Sequence, residues 1–256
     1  MSRSSDAVGN FEPDELAEIK FPDSGADVSF RLLQDAVVPR PVYLVSTVSV
    51  TGVNNVAPYS YICPAATTPT SFVLSVLRRD DSSEKDTLIN LRASGELVIN
   101  AVTEAIVSAA NACAENVPPH RSEFELTGLS PVFLSSRAPH VAQSPLRFEC
   151  KVETEIPFGG DRSGATSLVL LSVTRAYVAK RMYRGKGQLD IAALRFIGRS
   201  SVDQYHRRGC AVHDRPAQHR RGCRMSSLER VGPNRRLQPT RCGGLHPLTR
   251  AAELRR

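Results

Sequence analysis

Two alternating runs, Arg147 to Ile156 and Ser167 to Val178, flank the segment GGDRSGAT. Successive side chains of a strand point to opposite faces, so such runs can bury one face of a sheet. A short link containing Gly and Asp joins them as an antiparallel hairpin. A chain built on this unit has to find antiparallel neighbours for both strands. Further β-rich runs supply them: VYLVSTVSV over Val42 to Val50, then Val56 to Ile62, Ser71 to Leu77, and Glu96 to Val102. The turn TGVNN separates the first two, and Pro58 places the second at an edge or a bulge. Helical spacing is confined to short stretches. Ser29 to Val37 carries Phe30, Leu33 and Val37 on one face and is stopped by Pro39 and Pro41. Lys85 to Ser94 has Asp86 as a candidate N-cap, Leu88 and Leu91 as its apolar face, and Gly95 as its stop. Glu104 to Glu115 is alanine-rich and helical. Strands outnumber helices and lack regular βαβ alternation. The expected fold is mainly β, a six-stranded antiparallel Greek-key barrel with flanking helices.

Charge divides the 256-residue chain into unequal parts. Residues 207–256 hold 13 arginines, no lysine, and only Asp214, Glu229 and Glu253 as acids, a net +10. Taken from totals of 33 basic and 26 acidic residues, that leaves 20 and 23 for residues 1–206, a net −3. The body offers no basic face for nucleic acid, and the excess sits wholly in the tail. From Cys210 onward hydrophobic periodicity stops. Arginine without lysine there reads as a frameshifted or read-through extension, with a basic binding tail as the alternative. Residues 1–27 read as a loose N-terminal arm, and 28–206 as the folded domain. Cys63, Cys113 and Cys150 are read as reduced core residues rather than a disulfide framework. No apolar run is long enough for a membrane helix, and MSRSSDAVGN has no apolar stretch after Arg3. The expected setting is cytoplasmic, with no membrane and no nucleic acid as partner.

Three stretches concentrate chemistry-bearing residues: AVVPRPVYLVSTVSVTGVNNVAPYSYI over 36–62, EKDTLINLRASGELVINAV over 84–102, and APHVAQSPLRFECKVE over 138–153. A fourth, LRFIGRSSVDQYHR, closes the body at 194–207. Together they resemble the flavin reductase-like, FMN-binding split-barrel family, whose members show PRP-x4-ST, N-x-AP-x-S, KDT, AESP-x3-EC and LRP-x-GR in this order. The resemblance spans about residues 28–206. It implies a split barrel that binds FMN, takes hydride from NADH or NADPH, forms a homodimer and can supply a monooxygenase partner with reduced flavin.

FMN presents a phosphate, a polyol chain and a flat ring. Lys85 offers a charge, Thr87 a hydroxyl, and the helix start at Asp86–Thr87 unpaired N–H groups, a set suited to the phosphate. Asp86 would repel a phosphate directly, so it is read as a cap or an anchor for Lys85. Ser46, Thr47, Asn55 and Ser60 can bond polyol hydroxyls and the polar ring edge, and small Ala57 admits a ring closely. Ser75 and Arg79 are further phosphate candidates. His140, where relatives more often have PRV, reads as a surface loop residue, or else as a contact to nicotinamide. His120 reads as exposed. AANACAEN over 109–116 stands where relatives often show MN-x-TS and lacks their Thr-Ser pair.

Gly185 and Gly187 begin a G-x-G, but Asp190 breaks the dinucleotide fingerprint, so nicotinamide would bind over the flavin itself. Cys210, His213, His219 and Cys223 have zinc-like spacing inside the suspect tail and are not taken as a metal site. No side-chain acid or base is assigned to the chemistry, which the cofactors carry. The rival readings are a non-enzymatic FMN-holding electron carrier and the damaged product of a frameshifted reductase gene.

Overall fold

The computed structural model describes residues 16–21, 25–200, 204–207 and 229–230. Helix α1 (Ala26–Ala36) is followed by strands β1 (Tyr43–Val48), β2 (Asn54–Tyr59), β3 (Ile62–Thr67) and β4 (Thr70–Leu77). Helix α2 (Asp86–Ser94), strand β5 (Glu96–Ala101) and helices α3 (Val107–Ala112) and α4 (Glu123–Thr127) come next. The long hairpin of β6 (Leu146–Phe158) and β7 (Thr166–Val178) completes the principal sheet. The arm expected over 1–27 and the extension over 207–256 lie for the most part outside the described residues, as do the tail cysteines.

These strands form one seven-stranded antiparallel sheet in the order β2-β1-β5-β6-β7-β4-β3. The sheet therefore has one strand more than the six expected. The added strand arises because the run ending at Ile62 breaks at Ser60, and Ile62–Thr67 pairs back on β4 instead. The outer strands β2 and β3 are consecutive in the chain, joined only by Ser60 and Tyr61. A link this short forces the two edges of the sheet to one corner, where the Ser75 amide bonds the Tyr61 carbonyl at 2.9 Å. The sheet thus rolls into a barrel that is closed at that corner and split elsewhere. Pro58 lies on an edge strand, where its missing donor costs nothing.

Passing from β4 to β5 requires the chain to cross the barrel end, and α2 makes the crossing. Its Leu88 and Leu91 enter the interior with Val45, Leu74, Ile99 and Leu171. On the outside of β1 and β2 a second cluster of Leu44, Val56, Val107, Phe124 and Ile197 is covered by α3 and α4. Both faces of β1 are therefore buried. The PRP and GR segments meet: Arg40 and Pro41 pair with Arg199 and Gly198. A Cβ on Gly198 would stand 2.6 Å from Pro39, so only glycine permits this approach.

Alternation sends adjacent residues of β1 to opposite sides. Ser46 falls on the outer face, fully buried, where it bonds the Pro139 carbonyl and receives Asn100 Nδ2 at 3.0 Å. Asn100 also donates to the Leu44 carbonyl and accepts the Val141 amide at 2.8 Å. A buried polar group left without a partner costs about 1–3 kcal/mol. Asn100→Ala orphans the Val141 amide and loosens Ser46, so it should lower unfolding free energy by about 2–4 kcal/mol. The loss is read as a lower denaturant midpoint at unchanged slope.

Candidate functional site

A cleft of about 470 Å³, open at its mouth, lies where α2 starts against β2. Asn55, Ala57, Arg79, Lys85, Asp86 and Thr87, six of the ten residues singled out in the sequence, line it. Thr47 stands behind it: its Oγ1 receives Asn55 Nδ2 at 3.1 Å and Asn90 Nδ2 at 3.0 Å. Asn55 also donates to Thr87 Oγ1 at 3.2 Å. Ser46, Ser60 and Ser75 are not brought to the cleft. Ser46 faces the other side of β1, Ser60 lies half-buried in the β2–β3 link, and Ser75 pairs with Thr166 at 2.7 Å on the outer side of β4.

Asp86 is not the N-cap of α2. That position is Lys85, with an extended backbone, and Asp86 opens the first turn. Its carboxylate is held by Arg79 Nη2 at 2.7 Å. Arg79 in turn bonds the Glu84 carbonyl. The anchoring role expected for Asp86 thus falls on Arg79 rather than Lys85. The first backbone bonds of α2 come from the amides of Leu88 and Ile89, both to the Lys85 carbonyl. The Asp86 and Thr87 amides have no backbone acceptor among the described residues, as the start of a helix dictates.

Lys85 is half-buried, with Nζ 5.5 Å from the Tyr59 ring centroid and no carboxylate in ion-pair range among the described residues. Burial lowers its pKa, and the nearby cations Arg79 and Arg199 lower it further, against a smaller opposing pull from Asp80. An ammonium so placed is relieved by an anion. Burial likewise raises the Tyr59 phenol, so that hydroxyl is neutral at any ordinary pH.

The opposite wall comes from Cys113, Ala114, Glu115, Asn116 and Val117, the segment that departs from MN-x-TS. Glu123 completes the floor and was not singled out in the sequence. Its carboxylate is buried and accepts the Val56 amide of edge strand β2 at 2.9 Å. Burial pushes its pKa up, against the lowering effect of that hydrogen bond. Ser122 caps α4, its Oγ accepting from the Phe124 amide, and the Ser-x-x-Glu pattern that marks this helix start ends on Glu125. Nothing in that pattern reports that Glu123 turns inward.

His140 is a correction. Expected at the surface, it is fully buried, with Nε2 3.0 Å from Glu149 Oε1 and its ring edge-on to Tyr177. It lies outside the cleft lining. Its loop is drawn under β6 because Glu149 also accepts the Ser135 and Ser136 amides. Burial lowers the pKa of His140, so the ring is neutral and donates through Nε2. His120 is exposed, as expected. Cys113 and Cys150 are buried as expected, whereas Cys63, on edge strand β3, is exposed.

Residues 35–192 match the flavin reductase like domain family. The chain belongs to this family. An uncharacterized protein of Halalkalibacterium halodurans is 37% identical over 183 residues, covering 71% of this chain and 87% of that protein. Nitrilotriacetate monooxygenase component B from Bacillus cereus is similar in structure, with a TM-score of 0.72 at 33% identity. That alignment covers 77% of this chain and 99% of the other. A split-barrel protein from Shewanella frigidimarina shares the fold, with a TM-score of 0.66 at 21% identity over 81% of this chain and 98% of that one. The family's split barrel is the rolled seven-stranded sheet described above, and one side of the cleft at α2 comes from two of the segments that carry the family resemblance, through Asn55, Ala57, Lys85, Asp86 and Thr87.

Burial pushes the Cys113 and Cys150 thiols up to about 12. Thiols, unlike thiolates, react slowly. In native protein, iodoacetamide should label Cys63 and leave Cys113 and Cys150 unlabelled until denaturant is added, as read by peptide mass mapping.

Proposed function

We propose that the chain binds FMN in the α2 cleft and reduces it with NADH or NADPH. The observation that carries this reading is Lys85, a half-buried ammonium with no carboxylate partner among the described residues, beside two amides without a backbone acceptor there, at a helix start. Such a constellation suits a phosphate monoester. Arg79, neutralised in part by Asp86, adds positive field at the same end. Ala57 and Ala114 put small side chains on the walls, where a flat ring would lie.

A bound flavin would supply the hydride-accepting chemistry, and the nicotinamide nucleotide the hydride. The chain's part is to bind and orient. Lys85, with the Asp86 and Thr87 amides, would hold the phosphate. Thr47, Asn55, Asn90 and Thr87 lock one another, so the polar wall is set before a ligand arrives, which reduces the cost of binding. Holding two rings in reactive alignment is where most of the rate advantage of such a site arises. No residue of the cleft is assigned as acid or base.

Likeness to a monooxygenase component from Bacillus cereus supports delivery of reduced flavin to a monooxygenase partner. A homodimer belongs to the same reading, and sedimentation equilibrium tests it.

The test is an anaerobic absorbance titration. FMN should bind with a shifted flavin band that bleaches on addition of NADH or NADPH. Lys85→Ala should weaken FMN binding by about ten- to a hundredfold, the equivalent of one charge-assisted hydrogen bond. Absence of flavin binding by the wild type would overturn the reading. Binding without bleaching by either nucleotide would make the chain an electron carrier instead.

A further inference from the structure

The cleft continues past its polar end. A second hollow of about 700 Å³, open to solvent, is lined largely by apolar groups, among them Val50, Val53, Ile89, Ala93 and Pro118. The two compartments share Asn55, Asp86, Val117 and Glu123. Glu123 therefore stands on their common wall. One of its oxygens, Oε2, is occupied by the Val56 amide. Apart from Glu123's own amide, no other residue among the described residues donates to the rest of the carboxylate, and Glu123 lines both compartments. The open space beside it is the cleft.

Covering the edge of β2 uses one oxygen, and a glutamine would do it equally well. A charged carboxylate at only 6% exposure is an expensive way to satisfy one amide. Its second oxygen can take a donor from a ligand, and it repels a phosphate. The anionic end of a ligand is thereby directed to Lys85 and Arg79, while its uncharged donors fall against Glu123.

We propose that Glu123 is a specificity residue whose Oε1 accepts a hydrogen bond from an uncharged donor of the bound flavin, a polyol hydroxyl or the ring imide N–H, and so fixes which way round the ligand lies. This rests on the flavin reading above. The charged and titratable groups around Glu123 are Asp86 on α2, Arg79 after β4, Cys113 after α3 and Tyr59 on β2. Burial, the largest influence, and Asp86 both raise its pKa, so it loses its proton above the ordinary glutamate range.

Riboflavin, which has no phosphate, separates the two ends of the site. Fluorescence titrations of the full chain with riboflavin and with FMN are compared for wild type, Glu123→Gln and Lys85→Ala. Glutamine keeps the Val56 bond but turns a donor toward the ligand in place of Oε1. Glu123→Gln should therefore weaken both flavins by about tenfold, the worth of a hydrogen bond to a charged group. Lys85→Ala should weaken FMN alone. Riboflavin affinity of the wild type should rise with pH as Glu123 deprotonates and becomes the better acceptor, and that of Glu123→Gln should be flat. Unchanged binding of both flavins by a folded Glu123→Gln, or a flat wild-type profile, overturns the assignment while leaving the flavin reading intact. If the wild type binds neither flavin, both fall. Should the glutamine variant fail to fold, the wild-type pH profile decides alone.

Discussion

The start of α2 is held against the barrel by hydrogen bonds that converge on one hydroxyl. Thr47 Oγ1 receives Asn55 from β2 and Asn90 from α2, and Asn55 reaches on to Thr87. All four side chains are buried. Two strands and a helix are thus pinned at a point where each buried amide needs a partner and only the others can supply it. The far end of α2 is tied separately, Arg92 gripping Glu155 of β6 at 2.7 and 2.8 Å. With the helix seated at both ends, the two free amides and Lys85 stand at a set place beside the cleft.

This seating explains the balance of charge there. Arg79 is near enough to Lys85 to disfavour its charge. Asp86 settles Arg79 by an ion pair, while Lys85 lies against the Tyr59 ring and has no ion pair among the described residues. The cleft therefore has an ion-paired arginine and a lysine without an ion-pair partner among the described residues at the start of α2, and a buried carboxylate in its floor.

The motifs and the site are related less directly than their order in the chain suggests. Ser46 and Thr47 are adjacent in PRP-x4-ST, yet the strand period sends Thr47 to the cleft network and Ser46 to a network on the opposite face. Both are fully buried because β1 is covered on both sides. The same alternation on β4 turns Leu74 and Val76 inward and Ser75 outward. His140 reads as a loop residue because its segment lacks periodicity. It is buried because the Glu149 carboxylate, nine residues further on, accepts two amides of its loop and the ring N–H together. That convergence is set by contacts across the fold, which local pattern does not carry.

Local sequence determined a good deal by itself. The strands β1, β5, β6 and β7, the helix with Leu88 and Leu91 as its buried face, and the family to which the chain belongs follow from period-two alternation, turn residues and ordered motifs, all of them local signals. Tertiary structure alone decided that β2 and β3 become opposite edges brought to one corner, because a two-residue link constrains distance and not strand order. It also decided that Glu123 enters the floor of the cleft. A short helix packed across the edge of β2 must satisfy an exposed backbone amide, and which side chain does so depends on where the sheet ends in space.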